Sequence, residues 1–132
     1  MKESDLQMMV ADYLRLQYPN VMFHSDFGSG IKLTKGQAIK QKRQNGGRRA
    51  WPDMFIAEPA LHDDNSGSYG LFIELKKEGT RLKKKDGSWA SDHIAEQADV
   101  LDRLEFRGYR ATFACGFEEA KQVIDDYLRR TA

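Results

Sequence analysis

The sequence lacks several features that would place it in a familiar structural class. Its single cysteine, Cys115, cannot form an internal disulfide, and no group of Cys and His has the spacing of zinc ligands. No apolar run approaches the length of a membrane span, and the first residues lack the apolar core of a signal peptide. We therefore expect a cytoplasmic protein that contacts no membrane, with Cys115 as a buried structural thiol.

The chain is also short, with 132 residues. This length suits one domain with a proper core and is too small for two. Apolar residues make up 40% of the sequence and charged residues 31%, which is normal for a globular protein. No internal repeat, low-complexity segment or linker divides it, so we predict a single domain over residues 1–132.

Two short apolar runs, WPDMFI and GLFIELKK, lie within residues 51–76 and are separated by turn-forming residues. Runs of this kind predict a pair of β-strands. Because strand side chains alternate between faces, Glu74 and Lys76 share one face of the second strand with Phe72. Asp53 could lie across from Glu74, which would bring two carboxylates and an ammonium together in an apolar sheet.

This arrangement has a chemical use. Mg²⁺ takes oxygen ligands, often one or two carboxylates with waters and substrate phosphate. A metal held by Asp53 and Glu74 would activate water and polarise a phosphodiester, and Lys76 could orient the water and offset charge on the phosphate. Alternatively, all three are ordinary residues on a solvated sheet face. A lone Asp or Glu-x-Lys favours that alternative, whereas their combination on two strands favours the site.

Two basic segments flank these strands. Residues 31–49 carry seven Lys or Arg and no acid, and residues 76–85 carry six against the single acid Glu78. A basic rim around a carboxylate pocket is typical of proteins that bind a phosphate backbone, although the second segment alone could be a solvated loop. The predicted DNA contacts are Lys32, Lys35, Lys40, Lys42, Arg43, Arg48, Arg49, Lys77, Arg81, Lys83, Lys84 and Lys85.

The remaining elements follow from apolar spacing and capping residues. An opening helix carries a stripe of Leu6, Met9, Val10, Tyr13 and Leu14 and ends before Pro19. We predict a strand at residues 21–23, a helix at 35–44, a helix at 91–107, a strand at 109–115 and a helix at 117–128. Helix, three strands, helix, strand and helix give an α/β sandwich around a small mixed sheet.

Four polar residues outside the strand pair could have structural or functional roles. Gln97 lies within the apolar stripe of its helix, so its amide is bonded in the core or directed at a site, and we favour the site. Glu3 either stabilises its helix N-terminus or adds a carboxylate near the metal. We expect His24 to be structural or a phosphate contact, and His62 to be solvated.

This order of elements, with Pro-Asp on one strand and Glu-x-Lys on the next, resembles the PD-(D/E)XK nuclease superfamily. Within it, the chain resembles the virus-type replication-repair nuclease (VRR-NUC) family over nearly its whole length. The matching segments are ESDLQ with Glu3 and Gln7, NGGRRAWPD, FIELK, Gln97 before LEFRGYR, and GFEEAKQVIDDYL. One departure is Ala50, where the family usually has Gly.

The resemblance implies a restriction-endonuclease-like core with the order αβββαβ plus a C-terminal helix. It also implies that Asp53, Glu74 and the backbone carbonyl of Leu75 bind Mg²⁺ or Mn²⁺, with Lys76 as the catalytic lysine. By the same resemblance, Glu3 would shape the metal site. Gln97 would position Lys76 or the scissile phosphate.

Stand-alone members of this family resemble Holliday-junction resolvases that act as homodimers, since two symmetric nicks need two sites related by a two-fold axis. The resemblance therefore implies a metal-dependent, structure-selective endodeoxyribonuclease that cleaves branched DNA as a homodimer in a phage-infected or bacterial cell. Two alternatives stay open. One is a flap or single-strand nuclease that acts as a monomer, and the other is a non-catalytic DNA-binding module with the same fold.

Overall fold

A computed structural model describes residues 1–26, 33–47, 50–62 and 66–129. The structure alternates helices and strands along the chain. Its elements are α1 (Glu3–Gln17), β1 (Phe23–Ser25), α2 (Lys35–Gln44), β2 (Met54–Ile56), β3 (Ala60–Leu61), β4 (Gly67–Ser68), β5 (Leu71–Lys76), α3 (Asp92–Phe106), β6 (Arg110–Cys115) and α4 (Phe117–Leu128). No described helix has the length and apolar character needed to cross a membrane.

The central sheet has four strands in the order β1-β2-β5-β6. The first two pairings are antiparallel, and β5 pairs with β6 in parallel, with α3 as the crossover between them. The expected order of one helix, three strands, helix, strand and helix is confirmed. Helix α2 is inserted between β1 and β2, and the small β3–β4 hairpin is inserted between β2 and β5.

Helices cover both faces of this sheet. Alternation along β5 sends Leu71, Ile73 and Leu75 into the core formed with α1 and α4. On the opposite face, Phe72 and Phe113 pack against residues of α3. The predicted α/β sandwich is therefore confirmed, and the face shared with α3 is the one that also carries Glu74 and Lys76.

Side-chain caps begin two of the helices, as their sequences predict. Thr34 and Gln37 form a capping box at the start of α2, and Ser91 accepts a hydrogen bond from the Ile94 amide at the start of α3. Just beyond α3, Gly108 adopts φ of 97°. A side chain at this position would also collide with the ring of Tyr69, so glycine is required there.

Two details of the predicted elements are wrong. The first strand is Phe23–Ser25 rather than residues 21–23, because pairing with β2 sets its register. In α1, Met9 is 38% exposed, and the buried stripe includes Gln7 instead. Helix α1 therefore packs through a narrower stripe than the apolar residues alone suggested.

A tyrosine–aspartate junction, formed by Tyr13, Tyr18 and Asp125, joins α1 to α4. Both tyrosine hydroxyls donate to Oδ1 of Asp125 at 2.6 Å. Burial alone would raise the pKa of Asp125, but these two hydrogen bonds and the Arg129 charge outweigh it and hold the pKa below its ordinary value. Asp125 is thus a buried carboxylate whose charge is fully accommodated by the fold.

Candidate active site

The pairing of β2 with β5 brings the two predicted carboxylates together. Met54 lies opposite Ile73, so continuing the antiparallel register by one residue places Asp53 opposite Glu74. Asp53 itself precedes β2 rather than lying within it. The predicted juxtaposition of Asp53 with Glu74 is therefore present, at the point where β2 begins and β5 approaches its end.

Hydrogen bonds to Asp53 and to its neighbour Asp26 fix the position of Asp53. Its Oδ2 accepts from the Leu75 amide at 2.8 Å, and its carbonyl accepts from the Asp26 amide at 2.8 Å. The Asp26 carbonyl in turn accepts from Nε2 of Gln7 at 2.9 Å. Sequence reasoning assigned no role to Gln7, although a polar amide within the buried stripe of α1 was a usable signal.

Glu74 is the most unusual group at this site. It is only 5% exposed, and its Oε1 accepts from Nε2 of Gln97 at 2.7 Å. Its Oε2 and the Oε1 of Gln97 are buried with no hydrogen-bond partner in the described parts of the chain. The expectation that Gln97 is directed at a site agrees with this contact, but the bond is to Glu74 rather than to Lys76.

The surroundings of Glu74 favour its neutral form. Burial and, after it, the negative charge of Asp53 raise the pKa of Glu74 to about 9, although the Lys76 ammonium partly offsets both. The Glu3 carboxylate makes a smaller contribution in the same direction as Asp53. Two carboxylates are therefore placed where they repel one another unless a proton or a cation lies between them.

Lys76 extends along the same strand face and is only 8% exposed. In the part of the chain that the structure describes, its ammonium has no carboxylate within ion-pair distance. Its carbonyl accepts from the Gly116 amide at 2.8 Å, which fixes the end of β5 to the start of α4. The alternative of an ordinary solvated sheet face does not hold for Glu74 and Lys76, because both are buried.

Cys115 lies beside Lys76 in the parallel register but is only partly buried, so the prediction of a buried thiol is only partly met. Burial and the nearby Glu119 carboxylate raise the pKa of this thiol. A raised pKa lowers the thiolate fraction, which argues against a nucleophilic role, as predicted.

The site's donor set fits a hard divalent cation with a water-rich shell. Within residues 1–26, 33–47, 50–62 and 66–129, no three or more His, Cys, Asp or Glu side chains form a ready-made metal cluster. Mg²⁺ usually needs only one or two protein carboxylates. Asp53 and Glu74 supply two, and the unpaired Oε2 of Glu74 is a buried acceptor that a cation would satisfy.

Both basic segments join the sheet near these carboxylates. Helix α2 leads into β2, the segment at residues 77–90 follows β5, and the antiparallel pairing puts these two connections at the same end of the sheet. On α2, Lys35, Lys40 and Arg43 are exposed and Lys42 is half-buried. Lys32, Arg48 and Arg49, which were also predicted to contact DNA, lie outside the described residues.

The second basic segment is an ordered hairpin rather than an irregular loop. The Lys84 amide donates to the Ser88 carbonyl, and the Ala90 amide donates to the Leu82 carbonyl, each at 2.8 Å. The ammonium of Lys83 lies 4.8 Å from the centre of the Trp89 ring. The exposed bases on this segment are Lys77, Arg81, Lys83, Lys84 and Lys85.

His62 is half-buried rather than freely solvated as expected, because the β3–β4 hairpin folds it against Ser68. Its Nε2 is 2.6 Å from the Ser68 hydroxyl, and its Nδ1 is 3.2 Å from the Arg110 guanidinium. Because arginine can only donate hydrogen bonds, Nδ1 is the acceptor. The protonated Nε2 then donates a hydrogen bond to the Ser68 hydroxyl. The histidine therefore cannot act as a base toward Ser68, and the pair is structural. His24 is exposed on β1.

The structure is similar to a solved structure described as a VRR_NUC domain protein. The TM-score is 0.66 at 23% sequence identity, over 98% of this chain and 90% of that chain. No family model matches the sequence, and no curated protein matches it significantly. The likeness confirms the predicted restriction-endonuclease-like α/β fold, and it confirms the resemblance to the VRR-NUC family at the level of the fold.

Proposed function

We propose that this chain is a single nuclease domain that hydrolyses phosphodiester bonds in DNA with the help of Mg²⁺ or Mn²⁺. The observation that carries the proposal is the pairing of Asp53 with a buried, incompletely bonded Glu74, beside a buried Lys76 on the same sheet face. A stable fold gains nothing from such a group of charges, since burying them is costly. The cost is explained if the groups bind a cation and a phosphate.

Each residue has a role that its contacts support. Asp53 and Glu74 would hold the cation, which when bound would polarise the phosphodiester and lower the pKa of a water ligand. Lys76 would orient or deprotonate the attacking water and offset the charge that develops on the phosphate. Gln97 would fix the orientation of Glu74 through its 2.7 Å hydrogen bond. The Leu75 carbonyl as a third ligand, and Glu3 as a residue that shapes the site, remain part of the proposal.

The substrate we propose is branched DNA, cut in the manner of a Holliday-junction resolvase by a homodimer within a bacterial or phage-infected cell. Basic residues on α2 and on the 77–90 hairpin join the sheet at the same end as the carboxylates, which supports backbone contact on both sides of the site. A core of this size offers little surface for reading bases, which favours recognition of DNA shape over sequence. Symmetric nicks on two strands require two copies of the site.

The experiment that tests this proposal compares a mobile four-way junction with linear duplex, flap and single-strand DNA, each in Mg²⁺, Mn²⁺ or EDTA. We expect paired symmetric nicks in the junction that disappear in EDTA. Lys76→Ala should abolish these nicks and still bind the junction, whereas Lys121→Ala is the control, because this lysine lies on α4, which packs on the sheet face opposite Glu74. Sedimentation of the protein alone and with junction would report whether it is a dimer.

Other results would support the alternatives. If a monomer cleaved only flaps or single strands, the proposed metal-dependent chemistry would stand, and the proposed junction substrate would be replaced by flap or single-strand DNA. Metal-independent junction binding without any cleavage would favour a DNA-binding module and contradict the nuclease proposal.

A further inference from the structure

Trp51 is an anchored aromatic ring beside the candidate active site. It is 39% exposed, and its Nε1 donates to the Asn45 carbonyl at 3.0 Å. Its ring packs on Phe72 with centroids 6.2 Å apart, and Phe72 stacks on Phe55 at 4.4 Å. A large ring whose orientation is fixed by a hydrogen bond and by aromatic packing is therefore left partly open to solvent.

A cleft of about 700 Å³ lies between Trp51 and α2. This volume falls within the range of ligand pockets, roughly 300–1,000 Å³. Apolar side chains line part of the cleft, and one of them, Ile39, is 56% exposed. Three basic residues and one acid also line it, namely Lys35, Lys42, Arg43 and Asp26. The lining thus combines an aromatic ring, an apolar wall and an excess of positive charge.

A nucleotide has matching chemistry, with a flat base that stacks on an indole and a phosphate that pairs with lysine or arginine. A base within an intact duplex has both faces covered by its neighbours, so stacking on Trp51 requires an unpaired base. An acidic peptide would pair with the lysine and arginine side chains but would leave the Trp51 ring without a stacking partner. The cleft therefore matches a single strand better than a duplex or a protein segment.

We propose that this cleft binds an unpaired nucleotide, with its base against Trp51 and its backbone near Lys42 and Arg43. The inference rests on the proposed nuclease function, since Trp51 precedes Asp53 by two residues and two residues of chain span at most about 7 Å. A strand whose phosphate lies at Asp53 would therefore carry the next one or two nucleotides past the ring. Selectivity for branched DNA would then come from the bases at the branch point, which open more readily than bases within a continuous duplex.

The test uses Trp51 as its own reporter. The chain has two tryptophans, so a Trp89→Phe background leaves Trp51 as the single fluorophore. In EDTA, where no cleavage is expected, a short oligo-dT strand should quench this fluorescence and a blunt duplex should not. In the same background, Trp51→Leu should lower the affinity for oligo-dT about tenfold, measured by anisotropy of labelled DNA. The affinity for blunt duplex should change less than about twofold.

One further variant and a stability measurement make the result interpretable. Trp51→Phe keeps an aromatic face and should retain most of the oligo-dT affinity, and thermal unfolding of each variant checks that the fold is intact. No quenching, unchanged oligo-dT affinity in Trp51→Leu, or equal losses for single strand and duplex would each overturn the proposal. Because binding is measured without cleavage, failure of the nuclease proposal would appear separately, as an inactive protein whose Trp51 still stacks on single strands.

Discussion

Among the described residues, Asp125 and Glu74 are the two buried carboxylates, and they have opposite environments. Asp125 is 7% exposed and accepts hydrogen bonds from two tyrosine hydroxyls, and its pKa is lowered. Glu74 is 5% exposed and accepts one hydrogen bond, one of its oxygens has no partner in the described structure, and its pKa is raised to about 9. Their exposed fractions are similar, but Glu74 lies deeper and beside the negative charge of Asp53. Asp125, in contrast, has two hydroxyl donors and the positive charge of Arg129. Asp125 joins two helices, whereas Glu74 keeps an oxygen without a hydrogen bond at the proposed metal site.

The largest effect that this comparison predicts is on catalysis. Glu74→Gln keeps an acceptor for Gln97 but removes a cation ligand, so the cleavage rate should fall about 10³-fold, equivalent to about 4 kcal/mol. The free energy of unfolding in EDTA at pH 8 should not decrease, because the neutral amide resembles the protonated acid. Single-turnover cleavage and urea unfolding measure the two quantities, with the exposed Glu78→Gln as control. A marked loss of stability would mean that Glu74 is structural.

Asp125→Ala should give the reverse result. Two tyrosine hydroxyls would lose a charged acceptor, so the free energy of unfolding should decrease by about 3 kcal/mol. The cleavage rate per folded molecule should stay unchanged, because the tyrosine–aspartate junction lies on the opposite side of the sheet from Glu74. The adjacent Asp126→Ala is the control, since Asp126 is exposed. A fall in the cleavage rate while Asp125→Ala is still fully folded would contradict the separate roles of Asp125 and Glu74.

Gln97→Leu tests whether the single donor to Glu74 matters. Loss of this hydrogen bond should lower the cleavage rate about 10- to 100-fold and weaken activation by Mg²⁺, as expected for a residue that orients a metal ligand. The pKa of Glu74 should rise further, so the pH at which cleavage reaches half its maximum should move upward. Gln122→Leu, on the exposed side of α4, supplies the control. An unchanged pH profile would show that Gln97 acts only in packing.

A separate effect is a pH dependence of stability that differs in sign for the two groups. In EDTA, the unfolded chain releases the Glu74 proton near its ordinary pKa of 4.5, while the folded chain keeps it until about pH 9. Stability should therefore fall as the pH rises through this window, by at most about 1.4 kcal/mol per pH unit. Glu74→Gln should flatten the slope. For Asp125, whose pKa is lowered in the folded state, the free energy of unfolding should instead decrease as the pH falls below the ordinary pKa of 3.8.

The core of the site was predictable from the sequence because it depends on local patterns. The alternation of FIELK placed Glu74 and Lys76 on one face, and two strands joined by a turn-rich loop placed Asp53 opposite Glu74. Gln97 was found because a polar residue in an apolar stripe needs an explanation. The same reasoning could have found Gln7, which lies three and seven residues before the buried Val10 and Leu14.

The rest depends on contacts between distant parts of the chain. Nothing near residue 125 shows that Tyr13 and Tyr18 will meet it, since 112 and 107 residues separate them. The contacts of His62 likewise depend on the β3–β4 hairpin and on Arg110, 48 residues away. Charge pattern located both basic segments but did not show that the second would form a hairpin held by backbone hydrogen bonds.

The hydrogen bonds of Asp53 also limit the motion of the backbone around it. Although Asp53 lies outside β2, its side chain is bonded to the Leu75 amide and its carbonyl to the Asp26 amide. Opening of this segment would break both bonds, so the Leu75 and Asp26 amides should exchange with solvent deuterium about as slowly as the central strands. The position of Asp53 would then be set before any ion arrives, and ion binding would require little rearrangement of the backbone.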